Sequence, residues 1–218
     1  MRTLEVRRLG TVGYPEALAM QRALVEERRA DRVPDLLILL QHPAVITLGV
    51  KGDGGRSNVM ATPERLSELG IAVEETGRGG DVTYHGPGQI VGYPIIDLRP
   101  DRQDVHRYVR DLEEVMICTC ADYGLEAGRI AGLTGTWIGA DKIGAIGVRI
   151  SRWITSHGFA FNVSTRLDHF QLIVPCGISD RGVTSLERAT GLSIGVEEVE
   201  ERITHHFGQV FERSLSSA

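Results

Sequence analysis

The chain has 218 residues, 42% of them hydrophobic and 24% charged, which excludes global disorder and fits one large domain or two small ones. Its formal net charge of −5 argues against a nucleic-acid binder, which would carry a basic excess. The 26 glycines, well above the usual share of about 7%, call for many tight turns or for backbone that approaches a ligand closely.

Residues Met1 to Gly10 lack the long apolar stretch of a secretory signal. Helical spacing of Ala17, Met20 and Leu24 predicts a helix from about Pro15 to Arg29, with Arg22, Arg28, Arg29 and Arg32 read as a solvated face. The short apolar run Leu36 to Leu40 predicts a buried strand, and Val45 to Leu48 a second. A polar, glycine-rich loop follows from Gly49 to Asn58. Thr62 before Pro63 reads as an N-cap with proline at the first helical position, and Gly70 as the stop. From Gln89 to Leu98 a strand is expected, placed at a sheet edge because of Pro94. Val105, Tyr108, Val109, Leu112, Val115 and Met116 mark a long helix finishing at Gly124. Strands are expected around Thr134–Ile138, Lys142–Ile150 and Ile154–Val163, the first two joined by a hairpin turn at Gly139–Asp141. Val196, Val199, Ile203, Phe207 and Val210 give a final amphipathic helix. No repeat or low-complexity linker interrupts this order, so residues 1–218 read as a single domain, with a loose tail after about residue 213. Strands and helices mix without regular alternation, which favours an α+β fold.

No run approaches the roughly 18 apolar residues that span a bilayer. Three cysteines are too few, and odd in number, for a disulfide framework, so a cytoplasmic setting is expected. Cys118 and Cys120 lie within the predicted long helix and read as small core residues. Cys176 sits where an apolar strand runs into Pro175 and turns at Gly177, which presents a side chain to its surroundings. Such a cysteine is either a nucleophile or a turn residue without a task, and the residues alone leave both open. A nucleophilic thiol needs a base or a positive neighbour. The chain has two lysines. Lys51 lies in a polar loop as a solvated charge, whereas Lys142 opens a strand with glycines at Gly144 and Gly147, a bare surface on which a ligand could lie. By the residues alone, the plainer reading of Lys142 as a surface hairpin residue prevails. Histidines offer a second kind of partner, His85 and His157 in particular.

The segment Gly77 to Gln89 packs five glycines and a proline among polar residues, and matches neither a dinucleotide-binding nor a Walker A loop. Metal signatures are absent: there is no H-E-x-x-H or C-x-x-C, and His205-His206 has no third ligand.

In order along the chain, Gln41-His-Pro-Ala-Val-Ile-Thr-Leu-Gly49, Arg78-Gly-Gly-Asp-Val-Thr-Tyr-His-Gly-Pro-Gly-Gln-Ile-Val-Gly-Tyr-Pro94, Lys142-Ile-Gly-Ala-Ile-Gly-Val-Arg149, His157-Gly-Phe-Ala-Phe-Asn162, Pro175-Cys-Gly-Ile178 and Val183-Thr-Ser-Leu186 closely resemble the lipoyl(octanoyl) transferases. The resemblance implies the mixed α/β fold of the biotin/lipoate protein ligase superfamily, a mixed sheet flanked by helices. It implies transfer of octanoyl from octanoyl-acyl carrier protein to a lysine of lipoyl domains, in 2-oxoacid dehydrogenase complexes and the glycine cleavage H protein, with no cofactor. By motif, Cys176 is the implied thioester nucleophile and Lys142 its acid/base partner. Arg78, Gly79, Gly80, Asp81, Val82, Thr83, Tyr84 and His85 would line the substrate pocket, with Ala145, Ile146 and Gly147 and with Gly158, Phe159 and Ala160. Gly144 and Gly147 would leave a slot for the alkyl chain. Three rivals remain: an ATP-dependent lipoate or biotin ligase, a Cys-His thioesterase using His85 or His157, and a non-catalytic module that docks carrier or lipoyl domains.

Overall fold

The computed structural model describes residues 2–51, 53, 55–174 and 181–217. Its elements are β1 (Arg2–Thr11), α1 (Tyr14–Arg29), β2 (Asp35–Gln41), β3 (Val45–Leu48), α2 (Pro63–Glu68), β4 (Ala72–Glu75), β5 (Thr83–His85), β6 (Gln89–Ile95), α3 (Val105–Ala121), β7 (Thr136–Ile138), β8 (Asp141–Ser151), β9 (Ile154–Asn162), α4 (Leu186–Thr190), α5 (Val196–Val210) and β10 (Arg213–Ser217). Seven strands form a mixed sheet in the order β10-β1-β2-β6-β9-β8-β7, and β4-β3-β5 form a smaller one. β10, β1 and β2 run parallel, while β2, β6, β9, β8 and β7 pair antiparallel.

The unbroken apolar run of β2 follows from its central place. Leu37 and Leu39 face a cluster with Leu112, Val115, Met116, Ile203 and Phe207 of α3 and α5. Leu36, Ile38 and Leu40 face the other way, onto Ala17 of α1. A strand covered on both faces has no polar side to show, so the period of two carries no polar/apolar alternation. Local signals set the helix ends: the Thr62 hydroxyl accepts from Arg65 N and Asp104 caps α3 by accepting from Arg107 N.

Three expectations are corrected here. β6 is not an edge strand, since it lies between β2 and β9. Pro94 is tolerated because the β6–β9 ladder stops pairing there. Opposite it, His157 has a φ of +55° and donates its N–H to Gln21 Oε1 at 2.8 Å. The Pro94 carbonyl accepts the Thr155 hydroxyl at 2.7 Å instead. The residues after about 213, expected to be loose, form β10 on the edge of β1. Arg28, expected on a solvated face, is buried and donates to Asp35 Oδ1 at 2.9 Å.

Arg213, Arg28 and Asp35 tie β10, α1 and β2 together, for Arg213 Nε also donates to Asp35, at 3.0 Å. Asp35 is almost fully buried, so removing one guanidinium leaves an under-compensated interior carboxylate. Arg213→Met is therefore expected to lower stability by about 3 kcal/mol, read from the urea midpoint at unchanged slope. A loss below about 1 kcal/mol would show that this pair behaves like a surface one.

Candidate active site

Lys142 is placed by a bulge. Between β7 and β8 the register steps from Trp137↔Lys142 to Thr136↔Gly144, leaving Ile143 as the extra residue. Ile143 turns into the core beside Met116, while Lys142 is half-buried with Nζ 4.7 Å from the Trp137 ring centroid, a cation–π contact. The Arg181 guanidinium lies over the same ring at 5.7 Å. The Lys142 backbone is held on its open edge by the segment that follows Arg181: its N–H donates to the Gly182 carbonyl and its carbonyl accepts from Thr184 N–H, both at 3.0 Å.

Cys176, with Pro175, Gly177 and Ile178, lies outside the described residues. The chain just before it is described. Val174 N–H donates to the Asn58 carbonyl at 2.8 Å, and the Asn58 amide donates to Asp81 Oδ2, also at 2.8 Å. The approach to Cys176 is thus pinned to the glycine-rich segment by one short polar link.

A cavity of about 580 Å³ opens between three walls, within the about 300–1,000 Å³ usual for small-molecule sites. One wall is the glycine-rich segment, the second β8 from Lys142 to Val148, the third β9 with α1's Tyr14 behind it. Of the residues expected to line a pocket, Arg78, Gly79, Gly80, Asp81, Val82, Thr83, His85, Ala145, Ile146, Gly147, Gly158, Phe159 and Ala160 are at this cavity. Tyr84 is not. Its side chain is buried on the far side of β5 against Phe170, with its hydroxyl 2.9 Å from His169 Nδ1. Successive residues of a strand face opposite ways, so flanking Thr83 and His85 could not bring it along.

Both β8 glycines lie at this cavity, but their missing side chains leave room in different places. Their odd separation turns them to opposite faces. A Cβ on Gly144 would lie 2.5 Å from Met116 Sδ, so that bare face is filled by the core. A Cβ on Gly147 would lie 2.9 Å from the Gly79 carbonyl oxygen, and Gly79 N–H donates to the Val148 carbonyl at 3.0 Å. Gly147 therefore lets the glycine-rich segment dock on the edge of β8. Ala145 and Ala160, paired across β8 and β9, keep small side chains against the cavity.

A second cavity, of about 560 Å³, lies on the other side of Lys142. It shares Lys142, Phe170 and Val183 with the first, and adds Trp137, Val174 and Arg181. Val174 and Arg181 are the described residues on either side of the segment that holds Cys176.

Arg78 is buried and donates to the Thr47 carbonyl at 2.7 Å and to the Thr47 hydroxyl at 2.9 and 3.2 Å. Burial holds His85 down to about 3, with His42 and Arg78 opposing a further charge, and His157 down to about 4. Both are neutral at neutral pH and poorly matched to a general base working there. Among the described residues no group of three or more His, Cys, Asp or Glu side chains could hold a metal ion. Sequence reasoning missed Tyr14 and Asn58, and passed over Thr47, Gln89, Tyr93 and Asn162 although all four belong to motifs it had singled out.

The family model for the lipoyl protein ligase A/B catalytic domain matches residues 13–208. The chain is 53% identical over 212 residues to the octanoyltransferase of Solibacter usitatus (strain Ellin6076), spanning 97% of this chain and 94% of that protein. It is 52% identical over 209 residues to the octanoyltransferase of Rubrobacter xylanophilus, spanning 95% and 93%. Among solved structures, the bipartite lipoate protein ligase of Thermoplasma acidophilum, described with its E2 lipoyl domain, is similar at a TM-score of 0.71 and 16% identity, over 100% of this chain and 87% of that one. At that identity the likeness is one of fold.

Proposed function

The chain belongs to the lipoyl protein ligase A/B catalytic-domain family and, within it, to the octanoyltransferases, and from that premise we propose how it moves its acyl group. Octanoyl arrives as a thioester on acyl carrier protein. The Cys176 thiolate attacks the carbonyl carbon, the carrier sulfur leaves and takes up a proton, and the acyl group rests on Cys176 as a new thioester. A lysine amine of a lipoyl domain then attacks, the Cys176 thiolate leaves, and an amide forms. The first step exchanges one thioester for another and the second runs downhill, so ATP is not needed. Lys142 takes the thiol proton in the first step and the amine proton in the second.

One observation supports this division of roles above the others. Lys142 stands between two cavities, and the second is lined by the residues on either side of the Cys176 segment. The first then holds the acyl chain against Ala145, Gly147 and Ala160, and the second admits the carrier arm or the acceptor lysine. Lipoyl domains of 2-oxoacid dehydrogenase complexes and the H protein as acceptors, acyl carrier protein as donor and a cytoplasmic setting belong to the same proposal. Among the described residues no helix is long and apolar enough to cross a membrane.

The test is intact-protein mass spectrometry after mixing the protein with octanoyl-loaded acyl carrier protein, without ATP. The expected result is a gain of one octanoyl group, removed by hydroxylamine, mapped to the Cys176 peptide, and passed to a lipoyl domain added afterwards. An unmodified protein that instead forms an acyl-adenylate with ATP and octanoate would sink the transferase mechanism.

A further inference from the structure

Arg78, Thr47, His85, Gln89 and Asn162 form one line of hydrogen bonds, and every donor in it points the same way. Each of the five is more than nine-tenths buried. The Thr47 hydroxyl oxygen accepts two N–H groups of Arg78, which leaves its single proton for His85 Nε2, 3.4 Å away. That nitrogen must then be bare, so the imidazole carries its proton on Nδ1 and donates to Gln89 Oε1 at 2.7 Å. Gln89 Nε2 donates to the Tyr84 carbonyl at 3.2 Å and to Asn162 Oδ1 at 2.9 Å. Asn162 Nδ2 donates to the Thr184 carbonyl at 3.0 Å. The residue so held, Thr184, in turn donates its N–H to the Lys142 carbonyl, and Lys142 N–H donates to Gly182.

The Tyr84 and Thr184 carbonyls can only accept, so neither amide can turn over without setting oxygen against oxygen. A buried chain of this kind polarises from link to link. It begins on the Arg78 wall of the first cavity and ends on the carbonyl of Thr184, the residue whose N–H holds the Lys142 backbone.

We propose that Gln89 and Asn162 are positioning residues for Lys142: through Thr184 they hold its strand edge in place and couple it to the wall against which the acyl chain lies. This rests on the role of Lys142 given above. Both amides stand at the first cavity, and reversing the polarity of one interrupts the chain with little change of shape.

The experiment measures acylation of Cys176 by octanoyl-loaded acyl carrier protein, by rapid quench and intact-protein mass spectrometry. It uses the full chain as wild type, Asn162→Asp, Gln89→Met and Thr204→Val. Asn162→Asp sets an acceptor against the Thr184 carbonyl, and Gln89→Met keeps length without a donor. Thr204→Val removes a buried hydrogen bond of α5 to the Glu200 carbonyl, away from this line, and supplies the purely structural comparison. The maximal acylation rate is expected to fall about 10- to 100-fold in both amide variants. The donor KM should stay within about threefold, as a positioning role requires. The acid limb of the rate profile should move to higher pH in Asn162→Asp and stay in place in Thr204→Val, which keeps the wild-type rate. Wild-type rates and an unmoved limb in the amide variants overturn the positioning role, as does an equal loss of rate in Thr204→Val. Either amide variant alone decides the question if the other fails to fold. A wild type that takes up no acyl group removes the reaction itself, and this role with it.

Discussion

Cys176→Ser is expected to transfer octanoyl at least about 10⁴-fold more slowly than wild type, while keeping its fold. The physical reason is the atom. A cysteine thiol has an ordinary pKa of about 8.5, so a neighbouring base can generate thiolate at neutral pH, whereas a serine hydroxyl is far harder to ionise. Sulfur is also the better leaving group when the acceptor amine attacks. An acyl group forced onto the hydroxyl of that variant would be an ordinary ester, less reactive toward lysine and less readily removed by hydroxylamine. The measurement is octanoyl transfer to a purified lipoyl domain, followed by the mass of that domain over time. A variant that still transfers within tenfold of wild type would rule out the covalent route and favour a module that only docks carrier and acceptor.

Lys142→Met is expected to lower the acylation rate by about 10²- to 10⁴-fold at neutral pH, the range for losing a general base. Its deficit should shrink as pH rises. Without a base, acylation depends on thiolate formed by solvent, and that fraction grows with pH until the thiol is fully ionised. Lys142→Arg separates proton transfer from charge. The guanidinium keeps a cation over Trp137, the ring that Lys142 Nζ now meets at 4.7 Å, but it stays protonated throughout. Arginine should therefore be nearly as slow as methionine. Full activity in Lys142→Arg would mean that the lysine contributes charge to this site, and that the base lies elsewhere.

Much of the scaffold was legible because its signals are local. α1, α3 and α5 show the 3.6-residue period of an apolar stripe, while Thr62-Pro63 marks the start of α2 and Gly139 the turn between β7 and β8. The central strand β2 was legible as an apolar run too short for a helix. β1 was not, because only Leu4 and Val6 are buried along it and its worth lies in partners distant in the chain: Leu4 pairs with Asp35, and Arg2 with Arg213. β10 was hidden for the same reason, its anchor being Arg213 on a distant Asp35. Pro94 misled because the rule that sends proline to sheet edges assumes that a ladder must continue, whereas a Thr155 hydroxyl can take the place of a missing pair.

For the site, the residue types by themselves left Cys176 and Lys142 open, and only the resemblance carried by the ordered motifs pointed to them and to the glycine-rich segment. Only the tertiary structure decided which of those residues meet. It turned Tyr84 away and filled the Gly144 side with Met116. It also brought Thr47, Asn58 and Gln89 onto the glycine-rich segment and Asn162 onto Thr184 beside Lys142. Sequence records what each side chain can donate, accept or bury, and the spacing that sets local conformation. Whether a donor finds its acceptor depends on strand register and on packing between residues far apart in the chain, and those are settled only when the sheet closes around its core.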